Sequence, residues 1–411
     1  MIFFFDRFTG HVKKLQDTMR CMGRTAKIVV MEENGSLPDG ISSPYGYFSA
    51  RHNREEQVEK DLAIVLLNVP EPWEICTTGN KGTIYYDGCE KASVSFRTQP
   101  EGTGLQKIEW YGDKGRICRT DYYGRSGFKY AREFFGSDGL TESKVFYSDG
   151  NQEVLVEWPR NRAITLLNHG VTEAFFTSWA EFAEYYMTEA HPGERGVLYV
   201  QDQECLELLD IKPDEKKIWD RLLFADPDLL ERYRNAGGKD GCRFYAVPES
   251  YPVNRAKGEA LILTASDRME GIEYLVSVLE GVTFHIAANT QVSDKLNRMG
   301  EKKNVKIYPG AGNRILETLW KQCDFYLDIN HYREIYDAVD TAHRNNLLIL
   351  GFEHTTHNRE LMADESVFTG QDCEKMARTL QSLVGHPAEM KKRLAVQQHK
   401  KEIIWNRLLN S

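Results

Sequence analysis

The chain opens on a short apolar run, Ile2–Phe5, of a length suited to a buried strand. The next apolar positions, Val12, Leu15 and Met19, recur at helical spacing, so a helix is predicted over His11–Met22, stopped by Gly23. Lys27–Met31 is a second apolar run. Strand, helix, strand in that order predicts a parallel sheet covered by helices. The Pro- and Gly-bearing stretch Asn34–Phe48 reads as a loop.

From about Trp73 the helical period disappears, and alternating Tyr, Val, Ile and Phe with Gly turns replace it. A repeat of 12 residues runs through this stretch: Tyr111-Gly-Asp-Lys-Gly, Tyr123-Gly-Arg-Ser-Gly, Phe135-Gly-Ser-Asp-Gly and Tyr147-Ser-Asp-Gly. Each is preceded by another aromatic, namely Trp110, Tyr122, Phe134 and Phe146. The spacing suits a strand of roughly 6–8 residues and a tight turn, repeated as an antiparallel meander. The turn-adjacent Tyr111, Tyr123, Phe135 and Tyr147 have two readings: packing of strand ends, or an aromatic platform for an extended peptide or a sugar. An exposed edge strand offers the same peptide backbone pairing.

Helical pattern returns at Ser178–Glu189, with Ser178 as N-cap and Glu181 three residues on. A strand at Gly196–Val200, a helix at Pro227–Asn235 and a strand at Cys242–Val247 follow, and polar Pro248–Gly258 reads as a linker. Beyond it the alternation is regular. Strands are predicted at Ala260–Thr264, Thr283–Ala287, Val305–Tyr308, Phe325–Ile329 and Leu347–Gly351. The helices between them are predicted at Glu270–Leu279, Val292–Met299, Asn313–Gln322 and Arg333–Asn345. This is the pattern of a doubly wound α/β domain, whose ligands bind beyond the carboxyl ends of the strands. Two amphipathic helices, Asp372–Val384 and Pro387–Leu409, are expected to pack back across the structure.

The fold class expected is α/β: a GT-B-like pair of Rossmann-like domains with an antiparallel β-meander insertion in the first. The domains are placed at 1–70 with 165–255, the insertion at 71–164, the second domain at 256–390, and a C-terminal helix at 391–411. A length of 411 residues and a hydrophobic fraction of 41% suit two or three well-cored domains. The net charge of −9 argues against nucleic acid as a partner. Eight cysteines without a CxxC pair give neither a zinc pattern nor a disulfide framework. The four apolar residues before Asp6 are too few for a signal segment, and no run approaches a membrane span, so a cytoplasmic protein is expected.

A retaining transferase of this architecture needs a cationic grip on the donor diphosphate, because the leaving nucleotide develops negative charge. Such enzymes usually carry a Gly-rich turn in the first domain, an Arg and a Lys after the first strand of the second, and two Glu eight apart. The first turn here, Phe5-Asp-Arg-Phe-Thr-Gly, has no Gly-Gly pair. Glu270 stands where the Lys is needed, and a carboxylate repels a diphosphate. Tyr332 and Asp340 occupy the places of the two Glu. No catalytic residue and no cofactor is therefore assigned. His354 and His357, with Glu353 and Glu360 nearby, read as capping or surface hydrogen bonding rather than a metal site. Ser266, Asp267, Asn330 and His331 lie at strand ends, where they cap the next helix or recognise a ligand. With Glu270 and Glu353 they are the acceptor-cleft candidates.

At these residues the chain resembles the GtfB family, the stabilising partners of GtfA O-linked N-acetylglucosaminyltransferases in accessory Sec systems. The resemblance runs nearly end to end and is strongest in Leu37–Phe48, Ala260–Leu275, Tyr326–His331 and Asn345–Glu353. It implies a transferase fold without catalysis and a hetero-oligomer with a GtfA-like subunit. It also implies a grip on a serine-rich repeat adhesin glycosylated from UDP-N-acetylglucosamine before export, and a cytoplasmic place, peripheral on the inner face of the membrane. Two other readings stay open on the residues alone. One is an active retaining glycosyltransferase using UDP-N-acetylglucosamine through Asp340, Glu353 or Arg268; the other is a sugar- or nucleotide-binding protein without a transferase partner.

Overall fold

The computed structural model describes residues 1–51, 72–99, 102–112, 115–125, 127–194, 196–212, 219–370 and 372–410. Two compact units are present, one of residues 1–14 and 25–244, the other of 15–24 and 245–411.

In chain order β1 (Ile2–Phe5), α1 (Gly10–Cys21), most of which belongs to the second unit, β2 (Lys27–Val30), β3 (Ile41–Ser42) and α2 (Pro44–Ala50) precede a run of antiparallel strands of the first unit. These are β4 (Glu74–Thr78), β5 (Lys81–Tyr86), β6 (Cys89–Gln99), β7 (Gly102–Tyr111) and β8 (Ile117–Tyr123). Next come β9 (Lys129–Phe135), β10 (Thr141–Tyr147), β11 (Glu153–Trp158), β12 (Ala163–Asn168) and β13 (Val171–Phe176). The unit closes with α3 (Trp179–Ala190), β14 (Gly196–Val200), α4 (Gln203–Leu208), β15 (Arg221–Phe224), α5 (Pro227–Asn235) and β16 (Gly241–Arg243). The order β3-β2-β1-β14-β15-β16, parallel throughout, is that of a dinucleotide-binding half-sheet pair.

Two local expectations are corrected here. The stretch read as a loop to Phe48 becomes helical at Pro44, because Ser43 caps it by accepting from Gly46 N at 3.0 Å and Pro44 presets the first helical φ. The strand expected over Cys242–Val247 ends at Arg243. The capping box of α3 forms with a twist: Ser178 Oγ accepts from Glu181 N, while Glu181 Oε2 reaches back to Thr177 N at 2.7 Å.

The meander repeats more than its turns. Residues Gly115, Gly127, Gly139 and Asn151, again twelve apart, all adopt left-handed φ. In the last repeat Asn151 takes the glycine's place, as Asn tolerates that region best among the others. On each returning strand one residue is left over opposite the register shift: Cys118, Tyr130, Glu142 and Val154. The repeat therefore encodes a β-bulge per hairpin, which adds twist to the sheet. The sheet runs on to Phe176, past the expected end at 164. Its last hairpin closes through His169-Gly170, both at positive φ, the two-residue turn that matches strand twist. The expected start of the insertion at 70/71 lies outside the described residues.

One face of this sheet is a row of cross-strand partners, Ala131, Phe146, Leu155 and Leu166. It packs into a core with Tyr45, Phe48, Phe182 and Tyr186. Each large side chain buried there contributes about 1.5–3 kcal/mol, which fixes the sheet to the parallel domain.

The second unit contains β17 (Glu259–Thr264), α6 (Ile272–Val278), β18 (Thr283–Ala288), α7 (Asp294–Met299), β19 (Val305–Tyr308) and α8 (Asn313–Gln322). It continues with β20 (Phe325–Asp328), α9 (Ala338–Arg344), β21 (Leu348–Phe352), β22 (Val367–Phe368), α10 (Cys373–Leu383) and α11 (Pro387–Asn410). The order β19-β18-β17-β20-β21-β22 repeats that of the first sheet, with β22 as a strand the sequence pattern missed. Ile262, Phe284, Leu327 and Leu350 belong to one core, Leu261, Leu263, Tyr326 and Ile349 to another, so the sheet is covered on both faces. The helix expected from Arg333 begins only at Ala338, because Tyr336 and Asp337 sit at φ 52° and interrupt it. Among the described residues no helix is long and apolar enough to cross a membrane.

Candidate functional site

In the second sheet the strand order reverses between β17 and β20, and the segments leaving those two strands carry most of the candidate residues. They are tied to each other by backbone: Glu270 N donates to Ile329 O at 2.8 Å, His331 N to Arg268 O at 3.2 Å, and Met269 bridges Asn330. Glu270 and His331 are thus adjacent by construction. Glu270 Oε2 lies 2.8 Å from His331 Nε2 and 3.3 Å from His354 Nε2. His354 comes from the turn after β21, held by Thr355 and Thr356 N–H groups donating to Phe352 O at 3.0 Å each.

The remaining candidates divide by role. Ser266 Oγ accepts from Arg268 N, and Asp267 accepts from Ser293 Oγ at the start of α7, so these two serve turns and a helix cap. Asn330, buried at 3% exposure, accepts from Tyr332 N and shapes the turn that presents His331. Glu353 has an exposed side chain, and its N–H pairs with Phe368 O. The grouping of His354 with His357 does not form. His357 bonds Asp328 at 2.6 Å, and His354 joins Glu270 instead.

None of this grips a diphosphate. Asp340 is held by Lys401 Nζ at 2.6 Å and Arg344 Nε at 2.9 Å, which commits it to the interior of the unit. Tyr332 is half exposed, and its carbonyl accepts from His357. At the end of β1, buried Asp6 accepts from Gln201 at 2.7 Å and pairs with Arg7, whose guanidinium also meets Asp202 and Glu204. Burial pushes the Asp6 carboxyl up against the lowering effect of Gln201 and Arg7. Arg7, the cation that follows β1, is already surrounded by three carboxylates.

The platform candidates Tyr111, Tyr123, Phe135 and Tyr147 do not share one face. Strand alternation places Tyr123 and Tyr147 on one face of the meander and Tyr111 and Phe135 on the other. Tyr147 is buried with Val145 and Val156, and Tyr123 packs beside Ile108 and Trp110. The one-residue bulge in each hairpin turns successive repeats to opposite faces, so no continuous row forms. A different feature was missed: a groove of about 610 Å³ in the first unit, lined by Leu37, Ser43, Tyr47, Lys129, Tyr130 and Tyr147 among others. The signal was available in part, since Leu37–Phe48 is a stretch that resembles the family and Lys129 and Tyr130 flank a repeat turn.

Paired doubly wound sheets with a meander in the first define a GT-B-like protein that has lost its donor grip. The chain matches the GtfB N-terminal domain over residues 2–48, the GtfB middle domain over 73–177 and the GftB/GlyA-F C-terminal domain over 260–397. It is 28% identical to the "UDP-N-acetylglucosamine--peptide N-acetylglucosaminyltransferase stabilizing protein GtfB" of Streptococcus gordonii, covering 97% of this chain and 94% of that protein. The protein of the same name from Streptococcus parasanguinis is 29% identical, covering 90% of each. A solved GtfA/B complex bound to UDP and GlcNAc includes a chain 26% identical, covering 97% of this chain and 96% of that one, at a TM-score of 0.47. This chain belongs to the GtfB family.

Proposed function

We propose that the chain is the non-catalytic subunit of a complex with a GtfA-like O-GlcNAc transferase. It stabilises that enzyme and holds a serine-rich repeat adhesin for glycosylation in the cytoplasm, at the inner face of the membrane, before export. The observation that carries the reading is Glu270 at the switch point of the second sheet, hydrogen-bonded by two histidines where a donor diphosphate requires a cation. The name shared by the relatives, "stabilizing protein", supports the partner role. The acceptor role draws on the groove of the first unit, lined by the half-buried Tyr47 and Tyr130 and the exposed Ser42. A disordered, polar acceptor is held by many modest contacts of this kind.

The test is transfer of labelled GlcNAc from UDP-GlcNAc to a serine-rich acceptor by the chain alone, by the GtfA-like subunit alone and by the two together. The chain alone gives no turnover, and co-expression raises both the soluble yield and the activity of the partner. Turnover by the chain alone, or a partner indifferent to its presence, overturns the proposal. For the groove, Tyr47→Ala and Tyr130→Ala are expected to weaken acceptor binding while leaving the partner's soluble yield unchanged; unchanged acceptor affinity removes the groove from the reading.

A further inference from the structure

We propose that Glu270, His331 and His354 form a binding site for a divalent transition-metal ion of the Zn²⁺ type. The argument begins with distances. A tetrahedral Zn²⁺ with bonds of about 2.0–2.2 Å sets its ligand atoms about 3.3–3.5 Å apart. Here Glu270 Oε2 stands 2.8 Å from His331 Nε2 and 3.3 Å from His354 Nε2. One donor atom from each of the three residues lies within 4.8 Å of the others. Bringing Glu270 Oε2 and His331 Nε2 from 2.8 Å to coordinating separation takes about half an ångström of side-chain movement, and the Glu270–His354 distance of 3.3 Å already matches it.

The frame is prepared for this. Glu270 and His331 are fixed to each other by the backbone bonds between 268–270 and 329–331. Gly271, at φ 66°, lies so close to Cys373 that a Cβ there would approach the sulfur to 2.5 Å, so the turn carrying Glu270 is seated tightly. The His354 ring stacks on Phe352 at 6.1 Å between centroids. Rings held this way lose little freedom on binding an ion.

Ligand chemistry selects the ion. Two imidazoles with one carboxylate suit borderline metals such as Zn²⁺, Co²⁺ and Ni²⁺, whereas Mg²⁺ and Ca²⁺ prefer all-oxygen sets. Side-chain exposures of 29% for Glu270, 36% for His331 and 42% for His354 give an ion a path of entry and leave a fourth position for water. The ion would join the segments that follow β17, β20 and β21, at the strand ends where an active transferase of this architecture grips its donor. This goes beyond the stabilising role and is read out separately, by binding rather than by transfer.

The experiment uses the full chain, freed of metal by chelation, titrated calorimetrically with Zn²⁺ and followed by visible absorption on titration with Co²⁺. One ion per chain is expected, with Co²⁺ bands of four-coordinate character and a Tm raised by Zn²⁺. His331→Ala, His354→Ala and Glu270→Gln are each expected to weaken binding at least about tenfold. His354→Asn, milder in shape, is expected to do the same, and circular dichroism checks that each variant is folded. Absence of stoichiometric Zn²⁺ binding overturns the site. So does binding unchanged in the folded histidine variants, or Mg²⁺ bound as tightly as Zn²⁺.

Discussion

His357 has an acceptor at each ring nitrogen: Asp328 Oδ1 at 2.6 Å from Nδ1, and the Tyr332 carbonyl at Nε2. Only the doubly protonated ring donates to both. Burial lowers its pKa, yet the Asp328 hydrogen bond and charge, the Tyr332 carbonyl and the charge of Glu334 outweigh that and raise it to about 9. Since the folded value lies above the unfolded value of about 6.5, the stabilisation is complete below that pH and is lost as pH rises through about 9. The gap of about 2.5 pH units corresponds to about 3 kcal/mol. Urea unfolding of the wild type and His357→Gln is therefore expected to differ most at pH 6 and to converge by pH 10. A difference that does not vary with pH would sink the assignment. At the same scale, Gly139 has φ 78° with open space around a would-be Cβ, and Asn151 fills the equivalent place in the next repeat. Gly139→Asn is accordingly expected to unfold almost as the wild type does, while Gly139→Val costs about 1–2 kcal/mol of left-handed strain. Equal melting temperatures for the two variants would show that the backbone there relaxes.

The element that most exceeds its sequence pattern is α11. Its buried residues are Met390, Leu394, Gln397, Lys401, Trp405 and Leu408, a helical stripe in which two positions are polar. Gln397 donates to Leu347 O at 2.8 Å and accepts from Ile349 N at 2.9 Å, so it completes backbone pairing at the start of β21. Lys401, wholly buried, holds Asp340 and donates to Ala246 O at 2.9 Å. Amphipathicity marks the helix but assigns its lysines to solvent, because the partner that permits a buried lysine lies 61 residues away in α9. Removing one partner of such a pair leaves a buried charge, so Lys401→Ala is expected to cost about 3–5 kcal/mol. Lys401→Met with Asp340→Leu, which removes both charges and keeps volume, is expected to recover most of that. Additive losses in the double-mutant cycle would mean that the pair is not coupled. The same contrast between local and distant information runs through the other elements. Strand and helix spans, the turn period and the Ser178 cap depend on neighbours a few residues apart and were legible. The face that each meander aromatic occupies depends on strand reversal and register, and was not. Glu270 and His354 are 84 residues apart in the chain, and only the parallel order of β17, β20 and β21 brings them together.

For the molecule as a whole, the question is whether its missing transferase chemistry is one residue deep or spread through the fold. Glu270 and Tyr332 are partly exposed, so Glu270→Lys and Tyr332→Glu are expected to fold as the wild type does. Asp340 differs, because its carboxylate is fixed between Lys401 and Arg344 in a packed interior, and Asp340→Glu pushes an added methylene into that space. Overpacking of this kind costs about 1–3 kcal/mol, and the new carboxylate stays on Lys401 instead of turning outward. At the end of β1, Arg7 is still engaged by Asp6, Asp202 and Glu204, and no Gly-Gly turn lets backbone approach a phosphate. A chain carrying Glu270→Lys, Tyr332→Glu and Asp340→Glu together is therefore expected to give no transfer from labelled UDP-GlcNAc, alone or at high donor concentration. Its melting temperature should fall by the amount that Asp340→Glu alone produces. Measurable transfer by the triple variant would mean that the loss is confined to those three side chains and that the rest of an active site persists. Silence from a folded triple variant would place the loss in the packing of the second unit and the carboxylates of the first, where no few substitutions reverse it.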